Sequence, residues 1–278
     1  MSRRGWEQYL SPYARYRIPE HPGYKENSLW TIHVARLLDA ETCSWVAQMV
    51  EEYTDKHGWG TDRHTWHPTT DVTVSAMPVL DRWMRRLLLT TILPSLADLF
   101  GFEARHLITR DVFVVRYCPG AQDRLAPHRD GNLLSFNILL SDPYSFAGGG
   151  TYFSALGRAG MQETMAPDPG GSDGDAGGGQ TGRGVATEVQ TSRIPDGIVR
   201  PGNIGDITLH TGKLLHEGVR VTQGTRMILV GFVRVLSPKV NRAYLASRAA
   251  NQSRGGLEAD YKCLARALQP CPPLAAAT

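Results

Sequence analysis

A charge excess of one sign, paired cysteines and long apolar runs are all missing from this chain of 278 residues. Its 30 basic residues are offset by 27 acidic ones, leaving a net charge of +3, so it carries no electrostatic footprint for nucleic acid or an anionic membrane. The cysteines, Cys43, Cys118, Cys263 and Cys271, form no CxxC pair and no zinc-finger spacing, which argues against a metal knuckle or a redox dithiol. Residues 1–10 have basic side chains but no apolar run behind them, and no segment is long and apolar enough for a membrane span. These absences predict a cytoplasmic protein with no nucleic-acid and no membrane partner. What is present has ordinary globular proportions, 41% hydrophobic and 21% charged, and the length suits one sizeable domain.

Residues 1–27 are polar and rich in Tyr, Pro and Arg, and read as an irregular lead-in to a domain over 28–236. Residues 30–38 read as a strand. Asp39 is a plausible N-cap for a helix in which Cys43, Val46, Ala47, Val50 and Tyr53 recur at helical spacing before Gly58. Pro78 opens a second helix with Leu80, Trp83, Met84, Leu87 and Leu88 on one face, and Pro94 is expected to interrupt it before Gly101. From about residue 107 the period changes. Runs at 111–117, 133–140, 150–155, 206–210 and 227–235 are β-rich and separated by turn residues, the mark of a sandwich or barrel. The chain is therefore read as α+β, mainly β, with its β core over 107–236. The Gly-rich stretch 157–197 reads as a flexible insertion between core strands, and 237–278 as a partly helical tail.

The strongest local signal is Ala126-Pro-His128-Arg-Asp130-Gly131. His128 and Asp130, two apart, share one face of an extended strand. One imidazole and one carboxylate there need only a second histidine to form the 2-His-1-carboxylate triad of non-heme iron(II). His216 and His210 compete for that place. Arg226 stands ten residues after His216 at the head of an apolar run. On a neighbouring strand, its guanidinium could meet a carboxylate with two parallel hydrogen bonds. His128-Arg-Asp130 also spells a kinase triplet, but Ser135 stands where that motif needs Asn and no nucleotide loop precedes it. Asn251-Gln-Ser253 is a formal glycosylation sequon, relevant only to a secreted chain.

Five stretches carry a resemblance to a known family: Arg116-Tyr117-Cys-Pro-Gly120, Pro127-His-Arg-Asp130, Leu134 through Asn137 to Leu140, Gly148-Gly-Gly-Thr-Tyr-Phe153, and His216-Glu-Gly with Gly224-Thr-Arg226. They resemble the 2-oxoglutarate oxygenases of the prolyl 4-hydroxylase type, including the catalytic domain of procollagen lysyl hydroxylases. The resemblance implies a double-stranded β-helix, or jelly-roll, with supporting N-terminal helices. It implies Fe(II) on His128, Asp130 and His216, with His210 as a wall residue. It places the distal carboxylate of 2-oxoglutarate on Arg226, with Tyr117 and Asn137 lining the same pocket. It makes Gly148 to Gly150 turn and close-packing residues, and His64 and His67 surface or pocket-rim residues. The implied reaction consumes O2, releases succinate and CO2, and hydroxylates an aliphatic C–H, such as that of a prolyl or lysyl side chain in a peptide, with L-ascorbate as accessory reductant. A small-molecule substrate stays open, and the sequence is silent on oligomeric state. Two other readings use the same residues: a zinc hydrolase, which gives Arg226 no task, and an inactive jelly-roll binding module.

Overall fold

The computed structural model, which describes Leu10 and residues 12–18, 28–161 and 196–236, turns the alternating segments into strands. In chain order these are β1 (Pro12–Arg17), β2 (Thr31–Arg36), β3 (Asp71–Thr73), β4 (Leu107–Tyr117), β5 (Leu125–His128), β6 (Leu134–Leu139) and β7 (Ala147–Gly148). They continue as β8 (Thr151–Phe153), β9 (Ile198–Val199), β10 (Asp206–Thr211), β11 (His216–Gly218), β12 (Val221–Gln223) and β13 (Arg226–Val235). The larger sheet runs β1-β2-β10-β6-β13-β4-β3, the smaller runs β5-β11-β8-β9, and β12 pairs with β7. Every pairing is antiparallel. The chain is α+β and mainly β, with a jelly-roll core.

Period-two alternation explains how the sheet divides its side chains. Along β13, Arg226, Ile228, Val230 and Phe232 line a cavity, whereas Met227, Leu229 and Val233 join the main apolar cluster. Along β6, Ser135 and Asn137 face that cavity, and Ile138 lies in the cluster. The cluster continues into the helices α1 (Ala40–His57), α2 (Pro78–Leu87) and α3 (Leu93–Phe100), through Val46, Val50, Leu80, Met84 and Leu96. Each fully buried aliphatic side chain contributes about 1.5–3 kcal/mol relative to exposure. The helices thus stiffen one face of the sheet whose other face carries the site.

Asp39 caps α1 by accepting a hydrogen bond from the Thr42 N–H at 2.7 Å, and Gly58 closes it at φ 78°. Cys43, Val46 and Val50 are buried as the spacing predicts, while Ala47 and Tyr53 are only partly buried.

Several expectations need correction. The second helix is interrupted at Pro94 as expected, but the break is a π-turn just ahead of the proline. A π-turn over Leu88–Ile92 links α2 to α3, and Pro94 sits in the first turn of α3, where a missing N–H and a bulky ring are tolerated. The lead-in is not wholly irregular, because β1 pairs with β2 at the edge of the larger sheet. The β core does not begin at residue 107 either, since β1, β2 and β3 all belong to that sheet. The first residues of the Gly-rich stretch lie in a helix, α4 (Ser154–Met161), and Gly197 accepts a hydrogen bond from the Phe153 N–H at 2.9 Å. The rest of that insertion, 162–195, lies outside the described residues, as does the tail from 237. Among the described residues no helix is long and apolar enough to cross a membrane.

Candidate metal centre

His128 ends β5 and His216 begins β11, and the two are direct partners across that antiparallel pair. Their rings lie 4.4 Å apart, centroid to centroid. Asp130 follows β5 by two residues, and its backbone N–H donates to the Gly212 carbonyl at 2.9 Å. Asp130 Oδ1 stands 3.5 Å from His128 Nε2 and 3.7 Å from His216 Nε2. One donor atom from each of the three residues falls within 4.8 Å of the others, a spread that one metal ion can bridge.

The remaining polar atoms of the three side chains are already engaged. His128 Nδ1 donates to the Ala126 carbonyl at 2.8 Å and His216 Nδ1 to the Leu214 carbonyl at 2.9 Å. With the proton fixed on Nδ1, each ring presents the Nε2 lone pair. Ser135 Oγ donates to Asp130 Oδ2, which leaves Oδ1 toward the histidines.

Electrostatics favour the ligating forms of Asp130 and His216, whereas His128 is drawn toward its protonated form by Asp130. Burial raises the Asp130 carboxyl, but His216 and the other histidines around it outweigh that and hold it below the ordinary carboxylate range. Burial pushes the His216 imidazole down to about 3, so it is neutral at ordinary pH. Burial lowers His128 too, but the hydrogen bond and charge of Asp130 more than offset this and its pKa is raised.

His210 is buried on β10, its Nδ1 donating to the Thr211 carbonyl at 3.0 Å. It packs edge-on against Phe153 and His216, and is not one of the three grouped donors. His67 and His64 both line the cavity mouth. The His67 ring is 4.9 Å from that of His128, and His64 packs on Phe113 at 4.7 Å.

Across the cavity, Arg226 opens β13 opposite Tyr117 on β4. It is 2% exposed, its Nη2 has no hydrogen-bond partner, and its Cζ lies 5.7 Å from the Tyr117 ring centroid. Burial lowers the Arg226 pKa and raises that of Tyr117 to about 12, so Tyr117 is a neutral phenol and no counter-charge. Among the described residues no carboxylate forms an ion pair with Arg226. A buried guanidinium with no ion-pair partner among the described residues is suited to receive an anion. Asn137, on β6, also lines this cavity, whose volume is about 450 Å³. The sequence had not singled out Ser135; only its direction, opposite Asp130, shows its role.

Gly148, Gly149 and Gly150 all have positive φ, between 69° and 102°. A Cβ on Gly149 would lie 2.9 Å from Arg226 Cδ and 3.1 Å from the Phe146 ring. The glycine is thus part of the Arg226 pocket wall. Gly149→Ala is expected to cost about 1–3 kcal/mol of stability through strain at positive φ, and to weaken anion binding at Arg226. Thermal unfolding and calorimetric titration check both; an unchanged melting temperature would show that the loop adjusts freely.

No family model matches the chain. It is 26% identical over 241 residues to the multifunctional procollagen lysine hydroxylase and glycosyltransferase of Homo sapiens, covering 82% of this chain and 26% of that protein. The Rattus norvegicus counterpart is 27% identical over 242 residues, with the same coverage of each. The chain spans about a quarter of the length of these curated relatives. Among solved structures, the chain matches the epimerase SnoN, in complex with Fe3+, alpha-ketoglutarate and nogalamycin RO, at a TM-score of 0.48 and 17% identity, over 76% of this chain and 80% of that one. It matches a Pseudomonas putida prolyl-4-hydroxylase at a TM-score of 0.40 and 16% identity, over 71% and 88% of the two chains.

Proposed function

We propose that this chain binds iron(II) through His128 Nε2, Asp130 Oδ1 and His216 Nε2, binds 2-oxoglutarate against Arg226, and hydroxylates an aliphatic C–H of its substrate with O2. The observation that carries this reading is the buried guanidinium of Arg226, without an acidic partner among the described residues, in the same cavity as the grouped donors. A mixed imidazole and carboxylate set suits iron(II) and also zinc, but a zinc hydrolase leaves that charge without a function. When bound, iron(II) would activate O2, the oxidant, whose four electrons would come two from 2-oxoglutarate on its conversion to succinate and CO2 and two from the substrate C–H.

The protein's own contribution is geometry and a dry wall. The Ala126 and Leu214 carbonyls fix the two imidazoles, and Ser135 fixes the carboxylate. Arg226 offers a forked pair of donors to the distal carboxylate of 2-oxoglutarate, with Tyr117 and Asn137 lining the same side of the cavity. Val115, Ile228 and Val230 give that side of the cavity an apolar wall that disfavours water. Prolyl and lysyl side chains of peptides lead the candidate substrates, followed by small molecules, and L-ascorbate is the expected reductant of iron oxidised in unproductive turnover.

The test is succinate release from 2-oxoglutarate by protein loaded anaerobically with iron(II) and then exposed to O2. Succinate formation that needs both iron and O2 is the expected result. Absence of 2-oxoglutarate binding, or a zinc-loaded protein that hydrolyses model esters or amides instead, would overturn the reading.

A further inference from the structure

The cavity mouth is lined by charged and aromatic groups that the metal and co-substrate do not use. Phe113 and Phe232 meet edge-on at 5.3 Å, with His64 against both and Trp66 beside them, 90% exposed. Apart from Asp130, the only carboxylate lining the cavity among the described residues is Asp111. Asp111 is already bound to Arg63, whose other guanidinium nitrogen holds the fully buried Asp71. The acidic groups at the mouth are therefore spent on one arginine. Arg129 also lines the cavity, and its Nε donates to the Lys213 carbonyl at 3.0 Å.

Arg110 differs from these. No salt bridge or hydrogen bond of its side chain is found among the described residues, and it lines the same cavity. Its position is the product of a β-bulge. Phe232 pairs with Asp111 and Val233 with Thr109, so Arg110 is the extra residue of β4, without a partner on β13. Strict alternation would turn Arg110 and Asp111 to opposite faces. The bulge lets both border the cavity, a known use of bulges beside binding sites.

We propose that Arg110 is a substrate-binding residue that takes a carboxylate of the primary substrate, so that the preferred substrate carries an acid and presents an uncharged carbon to the metal. This rests on the oxygenase reading. Of the two side-chain classes named above this favours the prolyl over the lysyl, because a lysyl ammonium would find no free carboxylate among the described residues lining the cavity and would meet the Arg110 guanidinium instead. An apolar or ring-shaped reacting part fits the Phe113 and Phe232 wall. The carboxylate can belong to a free acid or to an acidic residue beside the oxidised one in a peptide.

The experiment uses full-length protein loaded with manganese and 2-oxoglutarate, titrated with matched pairs. These are N-acetyl-proline and its amide, N-acetyl-leucine and its amide, capped Pro-Asp and Pro-Asn dipeptides, and N-acetyl-lysine amide. At least one acid is expected to bind about tenfold more tightly than its amide, and the lysine amide most weakly. The capped dipeptides separate a peptide side-chain source from a free acid. Arg110→Gln should abolish the acid preference and Arg110→Lys should keep part of it. In turnover with an accepted acid, Arg110→Gln should raise KM far more than it lowers kcat. Acids that bind no better than their amides, a preference for the lysine amide, or an acid preference that survives Arg110→Gln would each overturn the proposal. Loss of 2-oxoglutarate binding in the unmodified protein sinks the oxygenase reading instead, so the two failures are distinguishable.

Discussion

Arg226→Ala is expected to weaken 2-oxoglutarate binding by roughly two to four orders of magnitude. The reason is desolvation. The Arg226 guanidinium is 2% exposed and lacks an acidic partner in the described structure, so a bound carboxylate neutralises a charge already removed from water. Removing one partner of such a buried pair costs about 3–5 kcal/mol, and each 1.4 kcal/mol is about tenfold. Arg226→Lys should recover part of the loss, as a point charge without the forked geometry. The variant protein itself can gain stability, because an uncompensated buried charge has been removed. Calorimetric titration of 2-oxoglutarate into anaerobic, manganese-loaded protein reads the affinity, and thermal unfolding without 2-oxoglutarate reads the stability. Metal binding should persist, since the three grouped donors are untouched. Unchanged 2-oxoglutarate affinity in Arg226→Ala would remove the main support for an oxygenase over a zinc enzyme.

The second large effect is expected at the metal centre. His128→Ala, Asp130→Ala and His216→Ala should each lower iron(II) affinity by more than the roughly 10–100-fold typical of losing a group that merely orients a ligand. His210→Ala should retain iron, because that ring packs on His216 and its Nδ1 is tied to the Thr211 carbonyl. Ser135→Ala falls between these, with a loss of about 10–100-fold, since Asp130 Oδ2 would lose its donor and the carboxylate its fixed orientation. Equilibrium dialysis against iron(II) or manganese(II) gives all five affinities. Retention of metal by His216→Ala together with its loss in His210→Ala would reassign the third ligand. Loss in none of the three grouped variants would place the metal elsewhere.

Much of the site could be read without coordinates because its parts obey local rules. His128 and Asp130 stand together as their spacing suggested, although the strand ends at His128 and Asp130 is held by its N–H bond to the Gly212 carbonyl, and the alternation from 227 to 235 fixes which side of β13 meets the cavity. Asp39 announces the start of α1 through a capping bond made within four residues. Short strands escape such rules. β11 has three residues, His216-Glu-Gly218, too few for a period to show, and it becomes a strand only through pairing with β5 and β8 on its two sides. The same is true of β1, polar in sequence, which is held by its pairing with β2.

By itself, then, the sequence determined the α+β class, the alternating β core and a small set of candidate ligands, because these depend on spacing along one chain. Only the tertiary structure decided between His216 and His210 as the third grouped donor, through the cross-strand register that sets His216 opposite His128. It alone brought Ser135 behind Asp130, left Arg226 buried without an acidic partner among the described residues, and set Arg110 at the border of the cavity beside a bulge. Each of these depends on which strand lies beside which, and hydrogen bonds between residues distant in sequence carry that information.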